Sequence, residues 1–363
     1  MKKIFYIFSL ISLCAGCSSG ASPLLKNIYK NYFTIGAAFN EGSLRNELVS
    51  HFNSLTSENE MKWISLHPSE DVYTFEKADV YIKFAKDHKL GVRGHTLVWH
   101  EAVDEEIFKE TPERILQIEE NHISEVVTHF KDDVYCWDVV NEVIDDGNDP
   151  LIDDGVTSNI YRQSNWYKAC GKEFISTAFI KADQVLKDLG IRDKVKLFYN
   201  DYDNAKEVKR SKTVAMINWL QENNVPIDGI GLQCHYHLGS FDPIALEDAI
   251  IEYSNLGLEV QITEFDCQIY DTSLSEIEEY GTYSKVPKEA LKVQATIYDR
   301  AFEIFRKHKD KITNVTFWGV SDENNYFKDN PNLGNRTDYP YVFDVNHEYK
   351  PAYYLIANFK DGK

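Results

Sequence analysis

Val134-Tyr135-Cys136-Trp137-Asp138-Val139-Val140-Asn141-Glu142 is a mostly apolar run that ends on an amide and a carboxylate. Strands of a parallel sheet are buried on both faces and read as such runs rather than as a two-residue alternation. Leu258-Glu259-Val260-Gln261-Ile262-Thr263-Glu264 has the same form and leads into Phe265-Asp266. Outward from these two, strand-like runs recur at Phe33–Phe39, Ser54–Ser57, Gly91–Leu97, Val195–Asn200, Gly229–Cys234 and Asn314–Trp318. Helical patterns lie between them. Pro112 opens one, with Thr111 suited to the N-cap and Ile115, Ile118, Ile123, Val126, Val127 and Phe130 at helical spacing. Pro287 opens another, carrying Leu291, Ala295, Tyr298, Phe302 and Phe305. Eight strands alternating with helices over roughly 330 residues predict one α/β domain, a (β/α)8 TIM barrel. An open doubly wound sheet is the alternative, but no Gly-rich nucleotide loop follows the first strand.

The bulk properties agree with one large core. Of 363 residues, 43% are hydrophobic and 13% aromatic, which is too apolar for general disorder. The net charge is −19, and −21 without the first sixteen residues, which carry Lys2 and Lys3. With no basic stripe, such a surface repels nucleic acid, so no nucleic-acid partner is expected.

The first residues read as an export signal: Lys2 and Lys3, an apolar stretch from Ile4 to Leu13, then Cys14-Ala15-Gly16-Cys17. The expected division is residues 1–16 as signal peptide, 17–28 as tether and 29–363 as catalytic barrel. Cys17 after Ala15-Gly16 resembles a bacterial lipoprotein box, although Cys14 stands where leucine is usual. The expectation is an envelope lipoprotein anchored through Cys17, on the periplasmic or outer-membrane face, with a secreted soluble protein as the alternative. A monomer is expected. Cys136, Cys170, Cys234 and Cys267 show no CxxC spacing, and export permits disulfides without revealing a pairing. Cys136 reads as a small buried hydrophobe, while Cys234 and Cys267 lie near successive strand ends.

A carboxylate at the end of a buried strand is costly unless it has work to do. Glu142 and Glu264 occupy equivalent strand ends 122 positions apart, and paired carboxylates equip an active site for glycoside hydrolysis. One must arrive protonated and the other charged, and like-charge repulsion separates them. Other strand ends carry groups suited to sugar hydroxyls: Glu58, Asn59 and Lys62 after the second, His95 and Trp99 on the third, Asn141 beside Glu142 on the fourth. Asn200 and Tyr202 follow the fifth, Gln233 and His235 the sixth, Asp266 the seventh and Trp318 the eighth. Each has a bland explanation, such as a helix start, a turn or core packing. Their joint placement at the C-terminal rim is what a barrel active site requires. His235 is placed to bridge Glu264 and Asp266. His95 and His100 lack the spacing of a helical metal pair, and zinc is rejected.

The segments SENEMKW (57–63), RGHTLVWH (93–100), WDVVNE (137–142), GIGLQCHYH (229–237), QITEFD (261–266) and FWGVSD (317–322), in this order, resemble glycoside hydrolase family 10, the endo-β-1,4-xylanases. The likeness runs from about Ile35 to Tyr354, through YVFDVNHEYKPAY (341–353). It implies a retaining hydrolase of xylan, with Glu142 as acid/base, Glu264 as nucleophile and carboxyls about 5–5.5 Å apart. It further implies Asn141 near the sugar 2-hydroxyl, and His235 with Asp266 supporting the nucleophile. Glu58, Asn59 and Lys62 would bind glycone units, with His95, Trp99 and Gln233 around the cleaved residue and Trp318 as a platform. No cofactor or catalytic metal is implied.

Two departures stand out. The family usually has a second tryptophan eight positions after the one matching Trp318, and here that position is Tyr326. The loop Glu101-Ala102-Val103-Asp104-Glu105-Glu106 replaces a Ser-Gln segment that is soon followed by Pro and Trp. Both bear on substrate extent, and neither touches the catalytic pair. The competing readings are the same chemistry on other β-1,4-glycans (cello-oligosaccharides, aryl xylosides) and a non-catalytic xylan-binding barrel.

Overall fold

The computed structural model describes residues 23–45, 47–154, 157–270, 280–327 and 337–359. The leader and Cys17 lie outside the described residues. Eight parallel strands form the barrel: Thr34–Phe39, Ser54–Ser57, Gly91–Trp99, Val134–Asn141, Lys196–Asp201, Gly229–Leu232, Glu259–Gln268 and Ile312–Phe317. Each pairs with the next, and Thr34 pairs with Asn314 to close the ring between first and last. The (β/α)8 barrel expected from the sequence is therefore present, and the eight predicted runs all fall on it.

Two strands run further than their residues suggested. The third reaches Trp99, and the seventh reaches Gln268 because the short segment His235–His237 pairs with its outer end. Around the barrel lie helices that include Glu76–His88, Pro112–His129, Glu173–Asp188, Glu207–Glu222, Pro243–Asn255 and Lys288–Lys307. The Thr111 hydroxyl accepts from the Arg114 N–H as an N-cap should. Pro287 stands at the cap position of the last of these, and Leu291 is only partly buried, while Ala295, Tyr298, Phe302 and Phe305 pack inward.

The barrel domain begins earlier than residue 29. Leu25–Ile28 form a helical turn, Leu25 is fully buried, and its N–H meets His51 Nδ1 at 3.3 Å. The Tyr353 hydroxyl donates to the Pro23 carbonyl at 2.6 Å, so the segment from Pro23 is packed against the C-terminal helix Pro351–Ala357. Four cysteines, 136, 170, 234 and 267, are free and buried, and Cys234 and Cys267 do not pair.

The barrel interior is partly polar. Arg93 grips Asp138 with two bonds of 2.6 Å and gives its Nε–H to Gln261 at 2.7 Å, with arginine and aspartate both shielded from water. A buried ion pair persists when all its hydrogen-bonding groups are matched. Asp138 also takes His95 Nδ1 at 2.9 Å, so the pair aims a histidine at the barrel mouth. Gly94 is needed because a Cβ there would fall 2.2 Å from the Trp137 ring. At the mouth, Asp322 after the eighth strand accepts from Lys350 Nζ and the Tyr341 N–H, each at 2.9 Å. That pair ties the last loop to the C-terminal segment.

Candidate active site

The C-terminal rim encloses an open cleft of about 880 Å³. Glu58, Asn59, Lys62, His95, Trp99, Asn141, Glu142, Tyr202, Gln233, His235, Glu264, Trp318 and Tyr326 all line it. With Asn40 after the first strand, residues from all eight strands or the loops after them thus meet in one place.

The backbone explains how neighbours share the cleft. Glu142 adopts a left-handed conformation (φ 57°), and so does Cys234 (φ 60°). Successive strand residues point to opposite faces, and a left-handed residue breaks that alternation. Asn141 and Glu142 both reach the cleft for this reason, whereas Gln233 and His235, two positions apart, share a side without needing any such break. Glu142 is fastened by its N–H to the Asn200 carbonyl at 2.9 Å and by its own carbonyl to Arg162 Nε at 2.9 Å.

Each carboxylate has its own set of donors. Glu142 Oε2 accepts from Trp99 Nε1 at 2.8 Å and Oε1 from Gln233 Nε2 at 2.9 Å. Gln233, read from the sequence as a group around the cleaved sugar, is thus bonded directly to the first glutamate. Glu264 Oε1 accepts from Asn200 Nδ2 at 2.8 Å, and His235 Nε2 lies 3.3 Å from Oε2. Burial alone would raise the Glu264 pKa, but the His235 contact, the charges of His95 and His235 and the Asn200 bond reverse this. Its carboxyl titrates below the ordinary value, so it is ionised at neutral pH.

Asn200, expected as a substrate contact, is fully buried and lies behind the cleft wall. Its Nδ2 also reaches Asn141 Oδ1 at 2.9 Å, and its Oδ1 accepts from Thr263 at 2.6 Å. A Cβ on Gly231 would fall 2.2 Å from that oxygen, so the glycine makes room for the amide. With Asn141 Oδ1 engaged, Asn141 Nδ2 is buried without a partner. An orphaned donor on a cleft wall is ready for a ligand hydroxyl.

His235 Nδ1 meets Asp266 Oδ2 at 2.9 Å, and Asp266 is fully buried. Burial lowers the histidine pKa, but the Asp266 charge and hydrogen bond, with help from Glu264, outweigh it and hold the ring at about 10. A group with a raised folded pKa stabilises fully below its unfolded value and loses that contribution as pH climbs through the folded one. The gap in unfolding temperature between wild type and His235→Asn is therefore expected to narrow as pH rises from about 6.5 to about 10. Thermal scans across that range check it, and a constant gap would contradict the ion-pair account.

After the second strand, Glu58 accepts from Asn40 Nδ2 at 3.1 Å, and Lys62 Nζ reaches Asn59 Oδ1 at 3.2 Å. Burial pushes the Glu58 carboxyl above its ordinary range, against the pull of Asn40 and Lys62. Trp318 stands edge-on to His95 and His235. The Tyr202 hydroxyl is already engaged by Arg162 and Asp146. None of Glu101–Glu106 lines the cleft; Asp104 instead caps the turn Glu105–Lys109.

Some contributors were missed. Asn40 directly follows the first strand, and the strand-end criterion used elsewhere would have found it. Arg162 and the buried pair Asp201–Lys209 (2.8 Å) sit behind Glu142, and no local pattern marks Arg162 or Lys209. Among the described residues no group of three or more metal-ligating side chains converges.

A family model described as glycosyl hydrolase family 10 matches residues 24–359. A β-1,4-xylanase of Dictyoglomus thermophilum is 42% identical over 98% of this chain and 96% of its own length. Endo-1,4-β-xylanase A of Caldicellulosiruptor saccharolyticus is 38% identical over 92% and 95%. Among solved structures, xylanase XynB from Paenibacillus barcinonensis, complexed with a conduramine derivative, superposes with a TM-score of 0.83 at 33% identity, covering 92% of this chain and 98% of that one. A mutant structure in complex with xylotriose superposes with a TM-score of 0.82 at 34% identity, covering 93% and 100%.

Proposed function

The chain belongs to glycosyl hydrolase family 10, and from that premise we propose that it is an endo-1,4-β-xylanase working by double displacement. The observation that carries the reading is the pair of separately supported carboxylates on one cleft, Glu142 held by Trp99 and Gln233, Glu264 by Asn200 and His235.

In the first step Glu264 attacks the anomeric carbon while Glu142 gives its proton to the glycosidic oxygen. The carbon–oxygen bond breaks, the leaving chain departs with that proton, and a glycosyl ester of Glu264 remains. In the second step the Glu142 carboxylate takes a proton from water, whose oxygen attacks the same carbon and frees Glu264. Two inversions give net retention. The spare Nδ2–H of Asn141 is positioned to donate to the 2-hydroxyl, a contact that strengthens as the oxocarbenium-like transition state forms.

Proton NMR of the first-formed sugar tests the mechanism: the β-anomer is expected, and an initial α-product would sink it. A product profile on xylan and cellulose tests the substrate. Internal cleavage of xylan is expected, and cellulose as the better polymer would favour the cello-oligosaccharide reading. A binding barrel has no need of two separately supported acids. Export and lipid attachment at Cys17 belong to the same proposal. Membrane fractions should hold the wild-type protein and release Cys17→Ala, and a wild type already soluble would remove that part.

A further inference from the structure

We propose that Tyr326 is a positioning residue for the nucleophile, fixing through its hydroxyl the Asp266–His235 pair that faces Glu264. Its oxygen lies 3.0 Å from Asp266 Oδ2 and 3.5 Å from His235 Nδ1. The same Asp266 oxygen takes His235 Nδ1 at 2.9 Å, while Asp266 Oδ1 is buried without a partner. One oxygen thus carries both bonds of a fully buried carboxylate, and the phenol supplies one of them. Burial and the Asp266 charge push the phenol pKa well above 10, so the hydroxyl stays a donor through the working range.

The chain of contacts runs Tyr326, Asp266, His235, Glu264, and its last link, at 3.3 Å, is the loosest of the bonds between these residues apart from the long Tyr326–Nδ1 approach. Where the imidazole lies depends on where Asp266 is held. The ring of Tyr326 is itself braced by Phe327 (centroids 4.1 Å apart) and packs against the cluster of Ala38, Trp318 and Tyr341. An indole at this position, as in the usual family pattern, has no donor at the far end of its six-membered ring. The departure from tryptophan therefore gives up stacking area and adds a hydrogen bond to the nucleophile's support. A neutral donor on Asp266 also shares its negative charge, leaving more of the His235 charge for Glu264. Without it, Glu264 is less well compensated and titrates higher.

This inference rests on Glu264 being the nucleophile. The test uses an aryl β-xylobioside with a good leaving group, for which protonation by Glu142 matters least. Tyr326→Phe keeps the ring and should lower kcat/KM about tenfold, through kcat rather than KM. The acidic limb of kcat/KM should move up by roughly half a pH unit. Tyr326→Trp, which restores the larger platform, should not recover the rate. A raised KM with unchanged kcat and limb, or full activity in Tyr326→Trp, would overturn the proposal and leave Tyr326 as a stacking surface. Wild-type inactivity, or inverted product, would overturn the functional reading and this one with it. That pattern is distinct from an active, retaining wild type indifferent to Tyr326→Phe.

Discussion

Glu264→Ala is expected to abolish hydrolysis of every substrate, with a loss of roughly 10⁵-fold or more. The loss should not depend on the leaving group, because the missing atom is the one that bonds the anomeric carbon. Neither Asp266 nor Glu142 can substitute: Asp266 is fully buried behind His235, and Glu142 is held by Trp99 and Gln233. The variant should still fold, since the change removes a buried charge, although Asn200 Nδ2 and His235 Nε2 each lose their acceptor on that side. Initial rates on xylan and on an activated aryl xylobioside, with an unfolding scan as control, decide it. A folded Glu264→Ala protein within tenfold of wild type would falsify the assignment.

Glu142→Ala should divide substrates by leaving group. Xylan, whose departing oxygen needs a proton, should lose about 10³–10⁴-fold in kcat, and an activated aryl glycoside far less in the first step. With such a substrate the glycosyl-enzyme accumulates, because no base remains to activate water. Azide needs no base and has room where the carboxylate stood, beside Trp99 Nε1 and Gln233 Nε2. It should partly restore turnover and yield a β-glycosyl azide. An α-configured azide, or an equal loss on both substrates, would exchange the roles of the two acids or remove the mechanism.

Much of the fold was legible because barrel strands are buried on both faces and announce themselves by composition. Val134–Asn141 and Ser54–Ser57 were placed to the residue. The seventh strand was placed short, because its outer half is held by pairing with His235–His237 and not by an apolar run of its own. Leu25 reads from the sequence as part of a tether, and only its burial against the barrel shows that it packs with the core. Among site residues, a place toward the C-terminal end of an apolar run brings Glu142, Glu264, His95 and Trp318 to the cleft, but it misjudges Asn200. Its side chain points to the same mouth yet stops one layer below, between Asn141 and Glu264.

By itself the sequence determined the barrel, the rim on which chemistry had to lie and the two glutamates that end its apolar runs, although Glu264 lies inside a strand that continues to Gln268. Those are local properties: the apolar character of a run and the residue types where it stops. Only the tertiary structure decided which donor serves which carboxylate. Trp99 and Gln233 meet Glu142 across gaps of 43 and 91 residues, and Tyr326 reaches Asp266 across 60. Such partners are set by strand register, by left-handed backbone at Glu142 and Cys234, and by the loop tied down through Asp322 and Lys350. Hydrogen bonds act over about 3 Å, and no spacing along the chain encodes a distance that short between residues so far apart.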